Sequence, residues 1–181
     1  MALRSIVYRA ELALSDLDRH VYLQRTLTLA RHPSETEERL MVRLLAFALF
    51  ATDTLEFGRG LSTEGEPDLW ARDATGVIDL WIEVGLPAER DLRKACGRAR
   101  QVAVVAYGAR KLDAWWAENA AALARLTNLT VLALDAAQSE ALAALAARAM
   151  TLVVTVQDGH LWIAAGDRSI DLAPDLRQRA A

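Results

Sequence analysis

From residue 77 to residue 149 the chain switches between two periods, and this run constrains the fold more than any other feature. Val77–Gly85 alternates: Ile78, Leu80, Ile82 and Val84 fall on one face, Asp79, Trp81 and Glu83 on the other. A helix is predicted over about 88–99, with Pro87 in its first turn. Gln101–Tyr107 reads as a buried strand, 110–126 as a helix, Leu129–Leu134 as a strand and Ala136–Met150 as an alanine-rich helix. Strands alternating with helices in this way call for a partly parallel sheet covered by helices.

Both flanks carry antiparallel signals. Residues 3–14 place Ile6, Tyr8, Ala10, Leu12 and Leu14 on one face, and residues 20–29 do the same with Val21, Leu23, Leu27 and Leu29. The turn residues between them, 15–18, make this a long hairpin with one buried face. A second hairpin is predicted where Thr151–Gln157 and His160–Ile163 flank Asp158-Gly159. The expected class is therefore α/β: a mixed sheet flanked by helices, with N-terminal and C-terminal β-hairpins.

Between the first hairpin and residue 77, Ser34 and Glu37 have the spacing of a capping box and open a helix to about Thr52. Leu40, Met41, Leu44, Leu45 and Ala48 form its core stripe; Glu35, Arg39 and Arg43 lie on the far face as i,i+4 neighbours. Residues 55–58 fit a short strand and 58–67 a polar loop. Strands at 68–73 and 77–85 are joined by Ala74-Thr75-Gly76. The polar tail after Pro174 is expected to fray. No repeat, linker or boundary is visible, so residues 1–181 read as one domain.

Composition narrows the class further. At 53% hydrophobic residues the chain is not a disordered one, and a single cysteine, Cys96, excludes an intramolecular disulfide framework. No apolar run approaches the roughly 18 residues of a membrane span. The period-two pattern around Arg4, Arg9 and Glu11 is unlike a signal peptide. A cytoplasmic protein with no membrane partner is expected. The net charge of −3 does not advertise a nucleic-acid binder, although it leaves room for a local basic patch. Nearly all the basic residues are arginines; Lys94 and Lys111 are the exceptions.

The strands at 68–85 hold the first candidate chemistry. A two-residue loop places Asp68 diagonal to Glu83 on one face, and a four-residue loop places them directly opposite. In both registers their Cβ atoms lie about 5–8 Å apart. Two acids that close repel unless they share a cation or a proton. The spacing suits a hard divalent ion, with the Val84 carbonyl as a third oxygen ligand; an ordinary polar strand face is the competing reading. On the preceding helix, Glu37 is explained by capping, whereas Glu38 at the edge of the apolar stripe is not.

Three separated segments carry a resemblance. Arg31-His32-Pro33-Ser34-Glu35-Thr36, Ile78-Asp79-Leu80-Trp81-Ile82-Glu83-Val84-Gly85-Leu86-Pro87 and Met150-Thr151-Leu152 together resemble the bacterial YaeQ family, over essentially the whole chain. The resemblance implies a variant of the PD-(D/E)XK restriction-endonuclease-like fold. Pro67-Asp68 is similar to the PD element. Glu83-Val84-Gly85 is similar to the (D/E)XK element, with Glu83 and the Val84 carbonyl as metal ligands. Glu38 would be the acid of the preceding helix, with Glu35 or Glu37 as substitutes. Gly85 stands where the lysine belongs, and Lys94 is the candidate for a migrated one. The implied function is a metal-dependent phosphodiesterase acting on nucleic acid. Asp68 and Glu83 would hold Mg²⁺ or Mn²⁺, Glu38 would position or deprotonate a water, and Lys94 would stabilise charge. The alternative is a non-catalytic nucleic-acid-binding or regulatory module that keeps the fold without turnover.

Arg90, Lys94 and Arg98 fall within an arc of roughly 80° on their helix, a stripe fit to track phosphates or simply to face water. Arg110 follows Tyr107-Gly108 at a strand end, where ligands of α/β sheets commonly sit. His20, His32 and His160 show no metal-ligand spacing, and His32 reads as loop packing. Cys96 reads as an inert core thiol, and the tryptophans read as core or rim packing rather than base-stacking groups.

Overall fold

The computed structural model describes residues 5–59 and 65–181. The chain divides into two compact units interleaved in sequence: residues 1–51 with 137–174, and residues 52–136 with 175–181. Each unit is built on its own mixed sheet, and the described residues contain four helices. Two sheets replace the single mixed sheet expected from the sequence. The physical reason is that the two hairpins pair with each other.

In the first unit, β1 (Ile6–Asp16) and β2 (Val21–Arg31) form the N-terminal hairpin, with Tyr8, Ala10, Leu12, Leu14, Leu27 and Leu29 buried as the alternation predicts. β8 (Ala149–Gln157) runs parallel to β1, from Arg9↔Ala149 to Asp16↔Val156. β9 (His160–Ala165) and β10 (Arg168–Leu172) complete the order β10-β9-β8-β1-β2. The pairing with β1 also shortens the predicted alanine-rich helix. α4 is only Ala136–Ala143, because residues from Ala149 onward are claimed by the sheet. The two hairpin turns are tied together: Asp18 accepts N–H bonds from Asp158 at 2.7 Å and Gly159 at 2.9 Å.

α1 (Glu37–Phe50) departs from expectation at its start and on one face. Thr36, not Ser34, is the N-cap, and its Oγ1 accepts the Arg39 N–H at 3.1 Å. Ser34 is already engaged with His32, whose Nδ1 lies 2.6 Å from Ser34 Oγ. Glu37 is then at the first helical position, where its carboxylate accepts the Tyr8 hydroxyl at 2.7 Å. The face predicted to lie opposite the core stripe is itself covered: Glu35 and Arg43 are both buried, along with every residue from Leu40 to Ala48. A helix apolar nearly all round is a buried helix. Its C-terminal carbonyls are met by Arg19, which reaches Ala48 O at 3.3 Å and Ala51 O at 3.2 Å.

The second unit has the order β11-β7-β6-β5-β4-β3. β3 (Leu55–Phe57), β4 (Leu69–Arg72) and β5 (Ile78–Val84) are antiparallel neighbours. β5, β6 (Ala99–Ala106) and β7 (Leu129–Ala133) are parallel, as the alternation of strands and helices requires. The crossovers are α2 (Glu89–Cys96) and α3 (Arg110–Leu123). α2 is shorter than predicted. Pro87 precedes its N-cap Ala88, and Gly97 ends it. Trp81, Leu92, Ala95, Val104, Leu112 and Trp115 share one buried core cluster. The tail does not fray: β11 (Asp175–Gln178) pairs with β7. Gln178 Nε2 also donates to the Leu123, Leu126 and Leu129 carbonyls at 3.0–3.3 Å. Of the predicted 58–67 loop, residues 60–64 lie outside the described residues, as does Arg4. No helix among the described residues is long and apolar enough to cross a membrane.

Candidate functional site

The site is built at the junction of β4, β5 and α2. Just past β3, Gly58 N–H donates to the Asp68 carbonyl at 2.8 Å. A Cβ at Gly58 would stand 2.0 Å from the Pro67 carbonyl oxygen, so only glycine allows this approach. The β4–β5 register, Leu69↔Ile82 and Trp70↔Trp81, is that of the longer loop; the paired residues stop at Leu69, and the Asp68 N–H turns to Ile82 O instead of continuing that register to Glu83. The register slips by one between Ala71↔Leu80 and Arg72↔Ile78, which leaves Asp79 as a bulged residue. Arg100 clamps that bulge through ion pairs to Asp79 and, at 3.1 Å, Asp73.

Asp68 is 6% exposed. Its N–H donates to Ile82 O at 3.0 Å, and its Oδ2 accepts the Val84 N–H at 2.7 Å. The Val84 group that meets Asp68 is thus the amide. Glu83 Oε1 accepts the indole N–H of Trp81 at 2.7 Å. Trp81 is locked in the core against α2, so the core itself orients the Glu83 carboxylate.

Glu83 lies in the wall of a cleft of about 630 Å³ that also takes in Arg90 and Lys94 of α2, and Glu66 and Arg98. Lys94 is 74% exposed with Nζ 3.8 Å from Asp91 Oδ1, and Arg90 Nε is 3.6 Å from the same oxygen. The Arg98 guanidinium sits 5.1 Å from the Trp81 ring centre and donates to Gly65 O at 3.3 Å. Arg98 lies beyond the end of α2 rather than on it, yet it reaches the same cleft. The sequence thus brings together Glu83, Arg90, Lys94 and Arg98. Asp68 and Arg110 do not line this cleft; Arg110 is exposed at the start of α3. Glu38 is half-buried on α1, in the first unit. Glu66 was not singled out from the sequence, and no local pattern marks it. The common face of Trp81 and Glu83 was legible, because residues i and i+2 of a strand share a face; the bond between them was not.

The backbone explains the glycine at position 85. Gly85 has φ 105°, a conformation side-chain-bearing residues rarely adopt. Among the described residues no group of three or more His, Cys, Asp or Glu converges as a metal cage. Mg²⁺ keeps several waters and binds through as few as one or two carboxylates; of the two acids the sequence singled out, Glu83 lines the cleft and Asp68 is turned to the Val84 amide. Cys96 is half-buried, and burial pushes its thiol up to about 11, so it stays protonated and inert.

Fold and site together define a two-sheet α/β protein with an acid-and-arginine-lined cleft beside a parallel β-α-β unit. The chain belongs to the YaeQ family: the family model described as "YaeQ protein" matches residues 1–174. It is 46% identical to the uncharacterised protein YaeQ of Salmonella typhi and 44% to that of Escherichia coli (strain K12), over 95% of each chain in both cases. The crystal structure of YaeQ from Xanthomonas axonopodis pv. citri superposes with a TM-score of 0.94 at 54% identity, covering 98% of this chain and 99% of that one. That from Pseudomonas syringae gives 0.88 at 35% identity, covering 95% of each.

Proposed function

We propose that this protein is nuclease-like: its cleft takes a nucleic-acid phosphodiester, with a divalent ion between Asp68 and Glu83, on a restriction-endonuclease-like core. The carrying observation is that Glu83 shares one cleft with Arg90, Lys94 and Arg98. A phosphodiester presented with a divalent ion needs acids on one side and cations on the other. Mg²⁺ or Mn²⁺, when bound, supplies Lewis acidity and an acidified water. Trp81 holds the Glu83 carboxylate in its orientation, and Asp68 fixes the end of β5 through the Val84 amide. Arg90, Lys94 and Arg98 bind and orient the phosphate backbone. The antiparallel β3–β4–β5 run followed by the parallel crossover to β6 supports the fold reading.

The second reading is binding without turnover. Lys94's exposure and its pairing with Asp91, together with the Gly85 backbone, favour it. One experiment separates the two. Metal-loaded protein is assayed for cutting and for binding of single- and double-stranded DNA and RNA across a salt series. Arg90→Ala, Lys94→Ala and Arg98→Ala should each lower the salt slope by about one unit. If Lys94→Ala instead abolishes cutting while binding persists, and Lys94→Arg fails to rescue it, Lys94 serves turnover. Protein that neither binds nor cuts any of the four substrates overturns both readings.

A further inference from the structure

Independently of the cleft, we infer that the outward face of the five-stranded sheet is a self-association surface that seats a second copy of this chain about a two-fold axis.

Among the described residues, the exposed large hydrophobics are Val7, Leu17, Tyr22, Val77, Val153, Trp162 and Leu176. Four of these, Val7, Tyr22, Val153 and Trp162, stand on this one face, and such concentration marks an interaction site where scattered residues would not. Strand pairing fixes their places. Asp171, Trp162, Thr155, Ser15 and Tyr22 form one row across all five strands. Val153 lies in the next row, between Ala164 and Ala13. Tyr22 is 65% exposed, Val153 50% and Trp162 45%. Trp162 stacks on His160, ring centres 6.0 Å apart, one strand in from the end of the row.

The same face carries its own receptacle. A trough of about 330 Å³ lies there, lined by Glu11, Gln24 and Arg25 as well as by the smaller Ala13, Thr26 and Thr151. A projecting tryptophan and a trough on one face are mutually satisfied when two copies meet by a two-fold rotation, each indole entering the partner's trough. The charges agree. Charge on this face comes from Arg9, Glu11 and Asp171, with Arg25 at the trough, so acids and bases are matched in number and a rotated copy can set cation against acid. Five strands at about 4.8 Å spacing, averaging roughly 28 Å in length, present about 670 Å² in projection, close to the ~800 Å² of accessible surface per partner in a stable dimer.

The test is the solution mass of the full chain by analytical ultracentrifugation. The series runs from about 1 to about 200 μM, bracketing the weak end of such interfaces. The expected species has twice the 19.9 kDa chain mass. Trp162→Ser and Val153→Lys should each raise the dimer Kd by roughly 10- to 100-fold with unchanged circular dichroism. If Trp162→Ser fails to fold, Thr151→Arg, which fills the exposed trough, serves in its place. A monomer throughout the series overturns the proposal, as does a dimer indifferent to all three variants. A monomer whose Trp162 fluorescence is quenched by single-stranded oligonucleotide overturns it in favour of a base-stacking platform.

Discussion

Glu35 and Arg43 form an ion pair inside the first unit: Arg43 Nη1 donates to Glu35 Oε1 at 2.9 Å and to Oε2 at 3.1 Å, with both side chains almost sealed from water. Arg31 supports it from the main-chain side, reaching the Glu35 carbonyl at 2.6 Å. The pair joins Glu35, one residue before the N-cap Thr36, to the helix's middle, so it fixes how the helix begins.

Breaking this pair from one side leaves a charge in the core. Arg43→Ala or Glu35→Ala should each cost about 3–5 kcal/mol in urea unfolding. The double variant Glu35→Leu/Arg43→Met should recover most of that loss. A double variant as weak as the singles would show that the pair contributes more than mutual neutralisation.

Placing a lysine at position 85, where the proposed restriction-endonuclease-like reading expects one, should damage the fold. Gly85→Lys and Gly85→Ala should lower stability alike, by about 1–3 kcal/mol, because both put a Cβ on a positive-φ backbone. Equal losses in thermal unfolding locate the cost in the main chain. A loss confined to lysine would locate it in the cleft.

A divalent ion that binds only the folded chain should raise its melting temperature. At 100 times Kd the gain is about 2.7 kcal/mol, and roughly 2–4 °C per kcal/mol is expected for a chain of this size. Asp68→Asn combined with Glu83→Gln should remove the shift with Mg²⁺ or Mn²⁺. Asparagine keeps an oxygen for the Val84 N–H, so the strand junction survives the test. An equal shift in the double variant would place the ion elsewhere.

Asp18 makes the hairpin tie sensitive to acid. N–H bonds from Gly159 and then Asp158 hold its carboxyl below the ordinary 3.8. A folded-state value below the unfolded one means the contribution is complete above about pH 4 and drains away as pH falls through the folded value. The stability gap between wild type and Asp18→Asn should therefore be widest near neutrality and close in acid. A gap constant from pH 7 to pH 2 would contradict this.

What the sequence makes legible is local. The alternation of β1 and β2 and the strand–helix run of the second unit follow from side-chain period, and both are present. The parallel β1–β8 pairing is not legible, because nothing near Arg9 refers to Ala149. The same holds for β11, where a polar tail is claimed by backbone carbonyls at the ends of α3 and β7. Arg43 was readable in principle: Leu40 to Ala48 is apolar almost without interruption, which marks a helix buried on all sides. In the candidate site, strand parity gave Glu83 and Trp81 their common face. It could not say that Asp68 would turn its carboxylate to a main-chain amide.

The interleaving of the two units imposes an order in time. Asp18 meets the backbone of Asp158 across 140 residues of chain. During synthesis at about 5–20 residues per second, β1 and β2 emerge roughly 7–30 s before their sheet can be completed. Residues 52–136 meanwhile hold all of their own unit except its last strand. The N-terminal hairpin thus waits with an open edge while the middle of the chain folds, and β11 closes the second sheet last. A ribosome that stalls before residue 149 would leave β1 without its parallel neighbour, a window in which a nascent-chain chaperone has something to cover.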